Sequence, residues 1–350
     1  MTKTTLSMIA VAGFATAASA QITLTEIATL DLGPEFNSVT AENGDNASAI
    51  AWDGSSIFAG GYAFGTGQSA IVRYDNVLSG GAFGTRFGQL ATPGNRGISG
   101  MDISNGTLAV AYDDGAGDPN GLRAFDTAGN QLWAKNIRGG SGTGFDPGFS
   151  GADSGVAWTT FGSGRRALQD SATGADIYTT GNGMIITPGG GTFWRDMDFR
   201  DTDGDMVARR SNDVIYFDRS GGNSGSTTLL VDNGENGAFV NQQNVSFVFD
   251  SALGDFVIYN DRAGSGTGQA IGDVLKAVRT DGTAEALQLI NSSLNLTGSG
   301  SYDFSYDAQS GTLAILDFAG RRVSIFQVPA PSAAALLGLG GLAASRRRRA

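Results

Sequence analysis

Short apolar segments alternate with polar turns along most of the chain, and one version of this pattern recurs. Each copy consists of an apolar segment interrupted by polar residues, a turn rich in Asp, Asn or Gly, and a second apolar segment. Segments of this kind, separated by such turns, are typical of antiparallel β-hairpins. The six copies occupy residues 49–61, 100–114, 154–170, 196–213, 246–261 and 303–320.

The first strand of each copy ends near a bulky side chain, and these ends follow one another at similar intervals. They lie 51, 55, 41, 50 and 57 residues apart. A period of about 50 residues is typical of the four-stranded blade of a β-propeller. We therefore predict an all-β fold, a six-bladed β-propeller. Its inner strands are predicted to end at Trp52, Ile103, Trp158, Phe199, Phe249 and Tyr306.

The two ends of the repeat region complement each other. Each of the first five copies is followed by two further strand-like segments, whereas the sixth has only one, residues 321–328. Residues 22–33 read like a strand without a partner, so we predict that they complete the sixth blade and close the ring. Closure removes the exposed sheet edges of an open propeller.

Two alternatives to the six-bladed ring stay open at this point. One is a pair of β-sandwiches. The other is a seven-bladed propeller, because residues 139–153 and 184–195 are long enough to blur the blade count. We interpret the glycine-rich residues 139–151 as a surface loop, since no helix and no Gly-Lys-Ser sequence follows that would make it a phosphate-binding loop.

The first twenty residues have the three parts of a secretory signal peptide. Lys3 supplies the positive charge, residues 6–18 form a short apolar run, and Ala18 and Ala20 are the small residues that signal peptidase requires. We predict cleavage before Gln21. The alternative is a membrane anchor, but the apolar run is shorter than the ~20 residues that span a bilayer.

The last residues form a second processing signal. A Pro-x-Pro motif is followed by an uncharged run rich in Gly, Ala and Leu and then by a basic cluster, which favours the cytoplasmic side of a membrane. The tail resembles the PEP-CTERM sorting signal of Gram-negative and planctomycete-like bacteria over its last 23 residues, with Ala in place of the usual middle Glu. The residues that carry the resemblance are Val328, Pro329, Ala330, Pro331, Arg346, Arg347, Arg348 and Arg349.

This resemblance implies partners and a location. In that family a membrane enzyme, exosortase, recognises and cleaves the tail. The implied partners are therefore signal peptidase and an exosortase-type enzyme, with transient insertion of the tail in the inner membrane. The implied location is the cell surface or the extracellular space, and the alternative is a generic tail anchor. The predicted organisation is a signal peptide (1–20), a propeller (21–328) and a sorting signal (329–350).

The composition excludes several classes of chemistry. The chain has no histidine and no cysteine. Histidine-dependent catalytic triads and the usual zinc sites are therefore excluded, and no disulfide stabilises the fold. Without the two terminal signals, 18 basic and 34 acidic residues remain, a net charge of −16. Because so acidic a body repels nucleic acid, we predict no nucleic-acid partner.

Alignment of the six copies places several carboxylates on the strands that line the central channel. They are Asp102, Asp196, Asp198 and Asp303, and side chains two residues apart face the same way along a strand. Converging carboxylates are suitable ligands for Ca²⁺, and the alternative is a hydrated polar channel without a specific ligand. Residues 201–205 resemble part of an EF-hand loop but lack its ligands at the required positions, so we predict a hairpin turn there.

These observations support two hypotheses of function. The first is an exported protein of the cell surface or extracellular matrix, whose non-catalytic propeller binds a polysaccharide or a surface protein and requires no cofactor. The alternative is a calcium-dependent hydrolase or lactonase that uses the channel carboxylates, a hypothesis by analogy of fold.

Overall fold

The structure is a computed structural model. It describes residues 21–37, 43–62, 68–91, 97–113, 121–136, 140–148, 154–160, 166–178, 194–210, 213–220, 225–232, 244–260, 275–294 and 302–329. The predicted signal peptide with Ala18 and Ala20, and the sorting signal from Ala330 onward, lie outside the described residues. Among the residues described, no helix has the length and apolar character needed to cross a bilayer.

The described residues form β-strands and one short 3-10 helix, Val77–Ser79. The first nine strands are β1 (Ile22–Asp31), β2 (Asn46–Trp52), β3 (Ile57–Tyr62), β4 (Gln68–Tyr74), β5 (Gly84–Ala91), β6 (Gly97–Ser104), β7 (Thr107–Asp113), β8 (Gly121–Asp126) and β9 (Gln131–Asn136). The next eight are β10 (Gly140–Asp146), β11 (Gly155–Thr160), β12 (Arg166–Gln169), β13 (Asp176–Tyr178), β14 (Trp194–Phe199), β15 (Met206–Arg210), β16 (Asp213–Asp218) and β17 (Ser226–Asp232). The last eight are β18 (Val245–Val248), β19 (Phe256–Asn260), β20 (Leu275–Arg279), β21 (Ala284–Glu285), β22 (Leu287–Ile290), β23 (Tyr302–Asp307), β24 (Thr312–Asp317) and β25 (Arg322–Gln327).

Twenty-four of these strands form six four-stranded antiparallel sheets, which we call the first to sixth sheets. The sixth has the order β1-β25-β24-β23, and β22 extends it in parallel beside β1. The first five are β2–β5, β6–β9, β10–β13, β14–β17 and β18–β21, and a single pairing of Tyr62 with Gly97 joins the first to the second. The innermost strands contact one another in the cyclic order β2, β6, β10, β14, β18, β23 and back to β2. The chain is therefore an all-β propeller, as the repeat predicted. Six sheets are what the described residues contain, and the total blade count stays a prediction.

The N-terminal strand closes the sixth sheet, which confirms the prediction for residues 22–33. Strand β1 pairs antiparallel with β25, and Thr25 lies opposite Gln327. The outer edge of β1 is covered in turn by β22, which pairs with it in parallel. The second of the two strand-like segments that follow the fifth copy spans residues 284–293, and it would be the fourth strand of the fifth blade. Only Ala284–Glu285 pairs with β20. The later part of that segment, Leu287–Ile290, instead pairs with β1. We call this region, where β1 closes the ring between β22 and β25, the seam.

The third sheet differs from the prediction, because its inner strand is β10. Residues 139–151 were predicted to be a surface loop, but Gly140–Asp146 pairs with β11 and lines the channel side of the sheet. The glycines permit close packing against the fourth sheet. A Cβ at Gly142 would lie 2.5 Å from the Cα of Asp196, and one at Gly144 would lie 3.1 Å from the ring of Phe199. The glycine-rich composition therefore reflects a close approach between strands.

The core lies between neighbouring sheets. Each buried apolar cluster combines side chains from two adjacent sheets, as Phe58 and Ile71 of the first sheet pack against Ile98 and Val110 of the second. The tryptophans Trp52, Trp133, Trp158 and Trp194 are all buried. Val328 is also buried, at 1% exposure, and packs with residues of the fifth and sixth sheets. The folded body therefore includes Val328, the last residue of the predicted propeller and the first of the residues that carry the resemblance to the sorting signal.

Aspartates organise the tight turns between strands. The carboxylate of Asp126, for example, accepts hydrogen bonds from the backbone N–H groups of Ala128 and Asn130. Residues 201–205 form the hairpin turn between β14 and β15, as predicted, with Gly204 in the left-handed region at a φ of 76°. These Asx-type turns explain why aspartate, asparagine and glycine punctuate the sequence.

Candidate functional site: the channel and its mouth

The four aspartates that the repeat alignment singled out lie around one small cavity in the channel. Asp102 lies on β6, Asp196 and Asp198 lie on β14, and Asp303 lies on β23. The cavity has a volume of about 30 Å³ and is also lined by Thr143 and other inner-strand residues. This volume is sufficient for about one water molecule.

Each of these carboxylates bridges two sheets. The inner strand of a blade has one edge without a strand partner, so its N–H groups need acceptors. Each aspartate provides one for the next sheet in the ring. The N–H groups of Phe145, Val245, Phe247 and Ile50 donate to Asp102, Asp196, Asp198 and Asp303 over 2.8, 2.9, 2.8 and 2.7 Å, respectively.

Burial shifts the ionisation of this layer. Desolvation, together with the charge of Asp198, raises the pKa of Asp102 to about 8. Desolvation also raises the pKa of Asp198 to about 6, against hydrogen bonds from Phe247 and Ser246 that lower it. The pKa values of Asp196 and Asp303 are raised for the same reason, and Asp303 adds a repulsive charge beside Asp196. At neutral pH the layer is therefore partly protonated.

These four aspartates were predicted as ligands of Ca²⁺. Within the described ranges, no three acidic side chains come together in a way that could hold a metal ion. The carboxylate oxygens instead accept hydrogen bonds from neighbouring backbone groups. The metal-ligand role predicted for Asp102, Asp196, Asp198 and Asp303 stays a prediction without support from the arrangement of these groups.

A larger cavity opens where the inner strands end, and we call it the mouth. Its volume is about 340 Å³, and Asp102 and Asp198 line both the mouth and the inner cavity. Every one of the six sheets contributes one bulky side chain to it. These residues are Trp52, Ile103, Phe145, Phe199, Phe249 and Tyr306.

Five of these six were predicted as strand ends, and the sixth prediction was wrong. Trp158 lies on β11, the second strand of the third sheet, and Phe145 takes the expected place. A sequence signal for Phe145 existed, because an aromatic residue followed by Asp also occurs at Trp52, Phe249 and Tyr306. The glycines before Phe145 concealed the strand.

The aromatic rings around the mouth are held in fixed positions. The ring of Phe249 meets those of Phe247 and Tyr306 edge to face, with centroids 5.7 and 5.5 Å apart. The Tyr306 hydroxyl donates to the backbone oxygen of Phe249 over 3.1 Å. The indole N–H of Trp52 donates to Thr312 over 2.8 Å. These contacts leave the mouth preformed.

The rim of the mouth is acidic. Asp53, Asp201 and Asp307 line it, and no lysine or arginine is among the described residues that do. Burial and the charges of Asp307 and Asp250 raise the pKa of Asp201. Asp307 therefore repels Asp201, and no basic side chain among the described lining residues offsets this repulsion.

Comparisons with solved structures find similar chains at low sequence identity. The chain is similar to the β-propeller domain of Cps50 (Swd1) from Myceliophteria thermophila, at 11% identity, with 81% of this chain and 83% of that chain covered and a TM-score of 0.46. It is similar to the C-terminal WD40 domain of Sif2, at 13% identity, with 89% and 99% covered and a TM-score of 0.45. It is also similar to an auxiliary nutrient binding protein from Bacteroides thetaiotaomicron, at 9% identity, with 81% and 69% covered and a TM-score of 0.50. No protein-family model and no curated protein matches the chain.

Proposed function

We propose that this chain is an exported, non-catalytic propeller of the cell surface or extracellular matrix that binds a ligand in the mouth. The observation that carries the binding proposal is the mouth itself. All six sheets contribute to it, its rings are fixed by their own contacts, and its volume of about 340 Å³ lies within the range of small-molecule sites. A preformed cavity reduces the entropy lost when a ligand binds.

The sequence of the two ends supports export. The signal-peptide pattern ends just before β1, and the tail that resembles PEP-CTERM follows Val328. Because β1 and β25 are antiparallel neighbours, the start of β1 lies beside the end of β25. Both proposed cleavage sites would therefore leave the body from one side of the seam, and cleavage would remove neither strand of the closing sheet.

Export is tested by expressing the full chain in a Gram-negative host. We expect a periplasmic or surface-associated product whose N-terminal sequence starts at Gln21. Replacement of Ala18 and Ala20 by Leu should retain the longer precursor, because signal peptidase requires small residues there. An unprocessed product from the unaltered chain would refute the signal peptide.

Binding at the mouth is tested with a variant that fills it. Gln309 is exposed and lines the mouth, so Gln309→Trp should obstruct any occupant whatever its charge. The processed protein is screened against soluble polysaccharides and small molecules by thermal shift and calorimetry. We expect Gln309→Trp to abolish binding and the control Ala172→Trp, in an exposed turn of the third sheet, to preserve it. Equal binding by both variants would exclude the mouth.

The calcium-dependent hydrolase is tested in the same calorimeter. This hypothesis requires that calcium bind the processed protein and that the binding be lost when Asp198 and Asp303 are both replaced by Ala. Absence of binding at millimolar calcium removes this alternative.

A further inference from the structure

We propose that the mouth selects a small organic cation, an ammonium group carried on an apolar or sugar-like body. This inference deepens the proposed function and rests on it. It follows from three features of the mouth: its size, its aromatic wall and the sign of its charge.

The size of the mouth fits an organic molecule. Its volume of about 340 Å³ is more than tenfold that of the inner channel cavity, about 30 Å³. The cavity is open at the face where the hairpin turns lie, since Asn105 and Gln309 belong to those turns. A bare metal ion would leave most of this space to water, and a folded protein domain would not enter it.

Partly accessible aromatic side chains form the wall. Phe145 and Tyr306 are half-buried, whereas Trp52, Phe199 and Phe249, which also line the mouth, are almost fully buried. The face of an aromatic ring attracts a cation, most strongly where water is excluded. The ring of Tyr306 is fixed by its hydroxyl bond to Phe249, so little side-chain entropy is lost on binding.

The charge of the mouth specifies the sign of the ligand. Asp53, Asp201 and Asp307 lie at the rim, and Asp102 and Asp198 lie deeper. No basic side chain of the described residues lines the cavity to neutralise them. Charges of one sign within walls of low polarity concentrate the field and attract ligands of the opposite sign.

The spacing of the carboxylates distinguishes an organic cation from a metal. No three acidic groups among the described residues are close enough to share a metal ion. An ammonium group needs no such cage, because it can lie beside one carboxylate and against a ring at the same time. The Asp201 and Asp307 carboxylates line the mouth together with Tyr306, and they are the groups that we assign to the ammonium.

The test compares probes of matched shape and different charge on the processed full-chain product. Choline is titrated against 3,3-dimethylbutanol, its neutral analogue, and glucosamine against N-acetylglucosamine. We expect at least one cation to bind at least tenfold more tightly than its neutral counterpart, and binding to weaken as salt increases. Intrinsic tryptophan fluorescence, to which Trp52 at the mouth contributes, provides a second readout beside calorimetry.

Two variants assign the binding to the mouth. Asp201→Asn combined with Asp307→Asn should weaken cation binding by about tenfold or more, because both charges are lost. Tyr306→Leu should weaken it by about two- to thirtyfold through loss of the cation–π contact. Asp281→Asn is the control, since Asp281 lies in an exposed turn of the fifth sheet. Near-ultraviolet circular dichroism verifies that each variant is folded.

The outcomes separate the two proposals. One outcome is that a neutral or anionic ligand binds, that Gln309→Trp abolishes this binding and that the double Asp variant preserves it. That result overturns the cation inference and keeps the binding function. If Gln309→Trp blocks the binding of no ligand, whatever its charge, both the binding function and the cation inference are overturned. Cation binding that the double Asp variant retains also overturns the inference, because the charge would then act from elsewhere.

Discussion

Arg219 and Asp146 form an ion pair that is buried between the third and fourth sheets. Their side chains are 2% and 0% exposed, and the Arg219 Nη1 atom lies 2.6 Å from Asp146 Oδ1. Removing one partner of a buried pair leaves the other charge without compensation. We expect Arg219→Met to lower the free energy of unfolding by about 3–5 kcal/mol, measured by urea denaturation.

Two variants separate this effect from a general loss of charge. Arg73→Met breaks an exposed pair with Asp75 and should change stability by about 1 kcal/mol or less. Combining Arg219→Met with Asp146→Asn should recover much of the loss, because no charge then stays buried alone. A double variant as unstable as Arg219→Met by itself would show that packing is responsible.

The residues of the channel were predictable because they repeat at fixed positions. Asp102, Asp196, Asp198 and Asp303 were aligned from the repeat alone, and the structure brings them together. Their hydrogen bonds to the next sheet were not predictable. Those bonds depend on the relative register of neighbouring inner strands, which no backbone pairing between the strands fixes. The Arg219–Asp146 pair has no repeat counterpart in the sequence, so only the packed structure reveals it.

Strand β1 holds the ring closed, and two of its apolar residues, Leu24 and Ile27, differ sharply in burial. Leu24 is 0% exposed and packs with Phe326 of β25, whereas Ile27 is 45% exposed at a bulge in the pairing. We expect Leu24→Ala to cost about 2–5 kcal/mol of unfolding free energy, as buried Leu-to-Ala changes do. Ile27→Ala should change it by about 0.5 kcal/mol or less.

Limited proteolysis gives this prediction a readout at the seam. Leu24→Ala should accelerate cleavage near β1 relative to the parent protein, because a weakened closing strand opens more often. Equal protease sensitivity and equal stability of the two variants would mean that β1 does not close the ring in solution.

At the scale of elements, strands rich in apolar residues were predicted correctly from the sequence. The prediction was wrong for a strand that glycines interrupt. Strand β1 was assigned correctly, because residues 22–33 read like a strand without a partner and the last blade lacked its fourth strand. Strand β10 was assigned to a loop, because its segment Gly-Ser-Gly-Thr-Gly contains three glycines and only one residue, Thr143, of the β-branched or aromatic types that favour strands. The packing of Gly142 against the fourth sheet is a tertiary requirement that local composition does not express.

The whole molecule should be more stable at mildly acidic pH than at alkaline pH. Burial raises the pKa of Asp102 to about 8 and that of Asp198 to about 6, above the ~4 of an unfolded chain. The folded state therefore binds more protons than the unfolded state between about pH 4 and pH 8, and stability falls as pH rises through this window. The exposed turn residues Asp126 and Asp170 act in the opposite direction, because hydrogen bonds lower their pKa values. Their contribution to the stability of the folded state is lost only as the pH falls below about 4.

Differential scanning calorimetry of the processed protein at pH 8, 6.5, 5 and 3 checks this prediction. We expect the Tm to rise from pH 8 to pH 5 and to fall again at pH 3. Asp102→Asn should flatten the dependence of Tm on pH between pH 6 and pH 8, because it removes the carboxyl group whose pKa is raised to about 8. Asp126→Asn, in an exposed turn, should leave that part unchanged and act only below about pH 4. A Tm that is higher at pH 8 than at pH 5 would mean that the channel carboxylates are ionised and compensated in solution, as a bound cation would make them.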